Sequence, residues 1–305
     1  MAPEAKTRLS HRTRFVLGIY ALLALPLAFL TVFVYLPFFW GFISSLYEFE
    51  IGASARFVGL ANYREFLFKD PVTWPSFLNM AFLAGWGVMV RLTVPLLVAK
   101  LIHSLSNERS RHMYRILFLV PIVVPGVAIQ LIWGIMIFSD GGLVNEFLRV
   151  IGLGGFAPNW LTDPHSALIA IACIGFPWVG GFEVLIYYAG LSAIPDSVNE
   201  AARLEGCTGI RKFFYIDVPM ILGQLRLILI LSIIGGVQTF ENVLILTRGG
   251  PGFATTVPGL WMYYNAFSFQ RMGYACGIGV TLFALILSLT ALNLRYFKGA
   301  ESLEG

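Results

Sequence analysis

Four ionisable residues, Arg91, Glu183, Arg226 and Glu241, stand inside long stretches that otherwise carry no charge. A charge placed among hydrocarbon is expensive, so each needs water, an opposite charge or a position at a membrane surface. Arg91 falls midway along its stretch, where an ion pair and a transport role are equally consistent with its place. Arg226 lies about two turns into its own stretch, close enough to an end for its long side chain to reach the surface. Glu183 belongs to FPWVGGFEVLIYY, where an aromatic and carboxylate cluster could line a cavity and Gly175, Pro177, Gly180 and Gly181 permit a bend. Other chemistry is not suggested. No lysine follows a glycine, so the phosphate-cradling GxxxxGK[ST] loop is absent and this chain has no nucleotide site of that kind. His11, His103, His112 and His165 lack the spacing of a zinc motif, and Cys173, Cys207 and Cys276 lie far apart, so neither a metal site nor a disulfide framework is expected.

The elements that must position these groups follow from composition. Of 305 residues, 57% are hydrophobic and only 12% charged, with a mean hydropathy of +0.77. A water-soluble fold and a disordered chain are both excluded. A helix needs roughly 20 apolar residues to cross a bilayer, and six stretches qualify: 15–44, 75–102, 116–138, 166–191, 218–246 and 272–294. The first is too long for the apolar core of a signal peptide and ends without a small-residue cleavage site. The expected fold is therefore all-α and integral to the membrane, with tails at 1–14 and 295–305 flanking a six-helix domain at 15–294. Lys and Arg gather in the two tails and in the loops after the second and fourth stretches, which places both termini and those loops in the cytoplasm. The basic excess thus reflects topology, and nucleic acid is not expected as a partner.

One cytoplasmic loop, 193–219, is long and internally patterned: AIPDSVNEAARLEGCTGIRKFFYIDVP. Pro195 and Asp196 suit a helix start, since proline forgoes an amide that has no partner there and aspartate can accept orphan amide bonds. Gly206 ends that helix, and Ile210 to Tyr215 can form a second before Pro219 opens the fifth span.

The spacing of Glu200, Ala201, Ala202, Gly206, Ile216, Val218 and Pro219 resembles the EAA motif of ABC-importer permeases, with Val218 in place of the usual leucine. Three further stretches are similar to the carbohydrate-type members, the group of the maltose and glycerol-3-phosphate importers: Phe57 to Tyr63 (FVGLANY), Arg115 to Gly126 with Pro121 and Pro125 kinking the third span, and Leu246 to Pro251 (LTRGGP) followed by Ala254 and Thr255. The resemblance implies a type I ABC importer transmembrane domain. Its loop 193–219 would form coupling helices that dock on a cytoplasmic ATPase through Glu200, Ala201, Ala202, Gly206, Ile216 and Pro219. It further implies a second homologous permease chain, two ATPase subunits that hold ATP and magnesium, and an extracytoplasmic substrate-binding protein. The chain itself would be no enzyme and bind no cofactor. Its cargo would be a sugar, an oligosaccharide or a related polyol derivative, moved across a bacterial or archaeal inner membrane.

Sugars are held by planar polar groups together with aromatic rings set against their C–H faces. By resemblance, the path runs along the middles of spans four to six, through Val179, Phe182, Gly236 and Thr239. Nearby Trp178, Glu183, Ser232, Gln238, Glu241 and Asn242 add polar or aromatic groups. The alternative is an ion-coupled secondary carrier that uses Arg91, Glu183 and Glu241 as its relay. Inverted repeats would mark such a carrier, and no internal repeat is visible.

Overall fold

A chain this apolar satisfies its backbone in lipid by forming helices, and the computed structural model, which describes residues 11–49 and 54–296, is built almost wholly of them. Most of the expected tails, 1–10 and 297–305, lies outside the described residues. The first span starts at His11 rather than Phe15: α1 (His11–Leu30) passes through a π-helical turn, Thr31–Tyr35, into α2 (Leu36–Ser44). Two strands, β1 (Tyr47–Glu48) and β2 (Arg56–Phe57), then pair antiparallel, a small exception to the all-α expectation. Next come α3 (Ala61–Phe68) and the unbroken α4 (Thr73–Ser104).

The third span is sharply bent. The helix formed by α5 (Glu108–Leu119) and a 3-10 turn through Val123 meets α6 (Gly126–Ile132), extended by a π turn to Ile137, at 86°. Pro125 causes the break, since proline forces the preceding residue out of the helical region, and Val124 is extended with ψ 124°. After α7 (Leu143–Val150), the fourth span is interrupted where a bend was expected: α8 (Ala167–Cys173) and α9 (Gly181–Ser192) are joined by the irregular segment 174–180. Gly175 and Trp178 in that segment have left-handed backbones, with φ of 79° and 55°.

The patterned loop gives α10 (Asp196–Leu204), then α11 (Gly209–Lys212), a π turn at Phe213–Asp217, and α12 (Val218–Met220). A 72° bend at Ile221 precedes α13 (Leu222–Val237), so the fifth span opens at Leu222 and Pro219 sits in the last turn before the bend. A proline inside a helix lacks an amide and crowds the carbonyl four residues back, and the wider π turn ahead of Pro219 accommodates that crowding. Asp196 begins α10 without the expected side-chain cap. The chain ends with α14 (Glu241–Leu246), α15 (Pro258–Tyr263) and the long α16 (Met272–Tyr296).

Three helices, Gly18–Ser44, Thr73–Ser104 and Met272–Arg295, are long and apolar enough to cross a membrane, and the two bent pairs raise this to five. The sixth expected crossing is the one divided between α8 and α9. α4 is the spine of the molecule. Near one end, Leu96, Ala99 and Ile102 pack with Val184, Tyr187 and Leu191 of α9, Ile221 at the bend and Ile228 of α13. Near the other, Met80 joins Phe66, Val237, Val243, Val257, Leu260 and Ile278. Between these two apolar clusters, residues 83–91 of α4 face a cavity.

Candidate functional site

The cavity measures about 470 Å³. Its walls come from α4, the third span, the broken fourth span and α13 with its sequel, and they include Trp86, Arg91, Trp178, Val179, Glu183, Ser232, Gly236, Thr239 and Asn242. Seven of the ten path residues named from the sequence are therefore brought together. The other three, Phe182, Gln238 and Glu241, are exposed and stand outside these walls.

The interrupted fourth span shapes one side. Its backbone carbonyl at Ala172 accepts both indole N–H groups, from Trp86 at 2.9 Å and from Trp178 at 3.2 Å. The two rings meet edge to face with centroids 5.4 Å apart. Sequence reasoning missed Trp86, because one tryptophan in an apolar span carries no signal that separates a cavity wall from a packed core.

The intramembrane charges resolve into two arrangements. Arg91 faces Glu183 across the cavity, Nε to Oε1 at 3.6 Å, with the arginine side chain 48% exposed and the glutamate 15%. Arg226 donates to the carbonyl of Leu294 at 3.2 Å, so it closes the C-terminal end of α16. That is a specific bond where simple reach to the surface was expected. Close packing backs the cavity: a Cβ on Gly236 would come within 2.7 Å of Ala84 Cβ, and one on Gly180 would collide with the Glu183 carboxylate. α4 and α13 can approach this closely because both positions are small.

On the segment 193–219, Ala202 is buried while Glu200, Ala201, Gly206 and Pro219 are exposed and Ile216 is half-buried. Gly206 has φ 69° and a Cβ there would meet nothing within 4 Å. Leu204, Ile210, Phe214 and Tyr215 are also exposed, an apolar display on a charged segment. Beneath it lies a residue that was not singled out from the sequence. Asp217, 1% exposed, accepts from Lys212 Nζ at 2.9 Å through one oxygen and from Lys100 Nζ at 2.5 Å through the other. The signal was present as a lone carboxylate within the apolar run FFYIDVP.

The remaining motifs form fixed turns at the opposite end of α4. Asn62 donates to the carbonyls of Ser45 and Tyr47 at 2.8 and 3.0 Å, and the Tyr63 hydroxyl meets Ser45 Oγ at 2.6 Å, so FVGLANY staples its loop to the end of the first span. In LTRGGP, Thr255 donates to the Gly250 carbonyl at 2.8 Å and Thr256 to that of Gly249 at 3.0 Å. Among the described residues, no group of three or more His, Cys, Asp or Glu side chains comes together to hold a metal.

Apolar helices, some of them broken, around a mid-span cavity whose largely apolar walls carry a few polar and charged groups are the architecture of a membrane transport protein. Comparison gives the family. Residues 91–297 match the binding-protein-dependent transport system inner membrane component, and the chain belongs to that family. It is 33% identical over 248 residues to the sulfoquinovosyl glycerol transport system permease protein SmoG of Agrobacterium fabrum, covering 81% of this chain and 79% of that one. It is 31% identical over 278 residues to the trehalose/maltose transport system permease protein MalF of Thermococcus litoralis, covering 90% and 92%. A chain of a bacterial alginate ABC transporter, solved in complex with an alginate pentasaccharide-bound periplasmic protein, superposes with a TM-score of 0.81 over 95% of this chain and 97% of that one. At 18% identity that likeness concerns the fold, which is the type I importer transmembrane domain. The ion-coupled carrier is set aside in favour of the ABC permease: Arg91 and Glu183 pair with each other, and Glu241 stands outside the cavity.

Proposed function

We infer that this chain is one of two permease subunits through which an ATP-driven importer moves a sugar or oligosaccharide across the inner membrane, with both of its termini in the cytoplasm. The observation that carries the reading is the mid-span cavity, where two indoles and the side chains of Arg91, Glu183, Ser232 and Asn242 offer a saccharide both aromatic edges and hydrogen-bonding groups. Relatives that carry trehalose or maltose, arabinooligosaccharides and lactose in their names support it.

In this reading the segment 193–219 docks on a cytoplasmic ATPase. Glu200, Ala201 and Gly206 lie on the exposed side, and the apolar Leu204, Ile210, Phe214 and Tyr215 fill the contact. ATP and magnesium sit on two such ATPase subunits, and this chain performs no catalysis. A second, homologous permease completes the path, and an extracytoplasmic binding protein delivers the cargo. Closure of the loaded ATPases favours the outward-facing state by differential binding, and hydrolysis removes that bias. Purification of the chain from its native membrane in mild detergent tests the assembly. A P-loop ATPase and a second six-span chain should come with it, with ATP hydrolysis stimulated by the loaded binding protein. Recovery of the chain alone, with uptake driven by an ion gradient, would overturn the reading.

A further inference from the structure

The ionisable groups in the cavity walls are a balanced pair. Arg91 and Glu183 alone carry charge there, on two different helices, and their 3.6 Å separation exceeds hydrogen-bonding distance. The pair therefore offsets its charge, with the Arg91 side chain half-exposed and Glu183 mostly buried, while leaving N–H donors and carboxylate acceptors unspent. The guanidinium lies over Gly235, with Nη1 3.6 Å from where a Cβ would stand.

A second observation points to a ligand. Ser232, 3% exposed, lines the same cavity and its hydroxyl has no hydrogen-bond partner. A buried hydroxyl left unpaired is costly unless something completes it. The Asn242 carbonyl oxygen is taken by Gln130 at 2.5 Å, which leaves the Asn242 N–H groups as donors. The set thus supplies donors, acceptors and a hydroxyl able to act as either, beside the Trp86 and Trp178 rings.

Sugar hydroxyls use all of these without adding charge. An acidic sugar would bring a second negative charge beside the mostly buried Glu183 carboxylate, whose one countercharge, Arg91, is already paired with it, and like charges at such short range repel. We propose that this subsite, held by Arg91, Glu183 and Ser232, selects uncharged sugar rings, and that Glu183 is the specificity-determining residue that excludes acidic ones. The proposal rests on the sugar reading above.

The test uses the whole importer in proteoliposomes, with neutral disaccharides and the matching uronic acids as probes, each saturating the binding protein. Wild-type uptake of each neutral probe should exceed that of its acid by roughly tenfold. Glu183→Gln should narrow that ratio by raising acid uptake, and the double variant Arg91→Gln/Glu183→Gln should restore the neutral preference, with gel filtration confirming intact complexes. Equal wild-type uptake of both probes, or an unchanged ratio in an intact Glu183→Gln complex, would overturn the proposal and leave the sugar reading standing. Transport of a non-carbohydrate solute with neither probe moved would overturn both.

Discussion

Asp217 of the segment 193–219 and Lys100 of α4 form an ion pair in which the aspartate side chain is 1% exposed and the lysine side chain 25%. Lys212 closes the other oxygen, so one buried carboxylate ties the segment to the helix that carries Arg91 to the cavity. From Lys100 to Arg91 is nine residues, or roughly 14 Å along an α-helix. In the reading proposed above, a displacement of the segment 193–219 would be applied to α4 at this ion pair.

Asp217→Asn should cut that tie. With two lysines left facing one amide, the cost is about 2 kcal/mol, moderated by the partial exposure of both ammonium groups. A lowered thermal midpoint in detergent should accompany ATP hydrolysis that no longer scales with uptake. Hydrolysis and uptake that fall together, in proportion, would show that the ion pair serves folding alone.

Gly206 separates backbone demand from docking. Gly206→Ala meets no atom within 4 Å and pays only for a left-handed backbone, about 1 kcal/mol, so the ATPase should still co-purify. Gly206→Trp should abolish co-purification while leaving the isolated permease folded by circular dichroism. Retention of the ATPase by the tryptophan variant would remove this glycine from the interface.

Neighbouring glycines on α13 should behave differently. A Cβ at Gly236 would press on Ala84 at 2.7 Å, whereas one at Gly235 meets only Arg91 Nη1 at 3.6 Å. Gly236→Val should force α4 and α13 apart at a cost of about 1 to 3 kcal/mol, seen as lost yield and a lower thermal midpoint. Gly235→Ala should keep its thermal midpoint and show reduced uptake. Similar melting of the two variants would contradict the packing described.

Asn62→Ala removes two hydrogen bonds that hold the loop to the end of the first span. With the Ser45 and Tyr47 carbonyls left unpaired, a loss of about 2 kcal/mol is expected. Limited proteolysis should then cut between Ser45 and Asn62 much faster than in wild type.

The helices of the spans and the short helices of the segment 193–219 were legible because hydrophobic length and helix starts and stops such as Pro195 and Gly206 are local properties of the chain. Breaks were less so. Pro125 and Pro219 announce that a helix is disturbed, but the 86° and 72° bends depend on what packs around them. Trp178 was named as a path residue from its neighbours on one span. Trp86 was not, since its place beside Trp178 depends on a shared carbonyl at Ala172 that only the assembled helices create. Gln238 and Glu241 shared the right span, but past the end of α13 the chain turns so that their neighbours Thr239 and Asn242 meet the cavity and they are exposed.

The first helix draws almost nothing from the rest of the subunit. No residue in its most apolar stretch between Gly18 and Ser44 is buried, and it touches the body near its end, where Phe38 and Phe42 meet Phe283 at 5.2 and 5.5 Å. Over most of its length this helix therefore gains nothing from tertiary contacts within its own subunit, and its apolar side chains are left to be covered from outside it, by lipid or by the second permease proposed above.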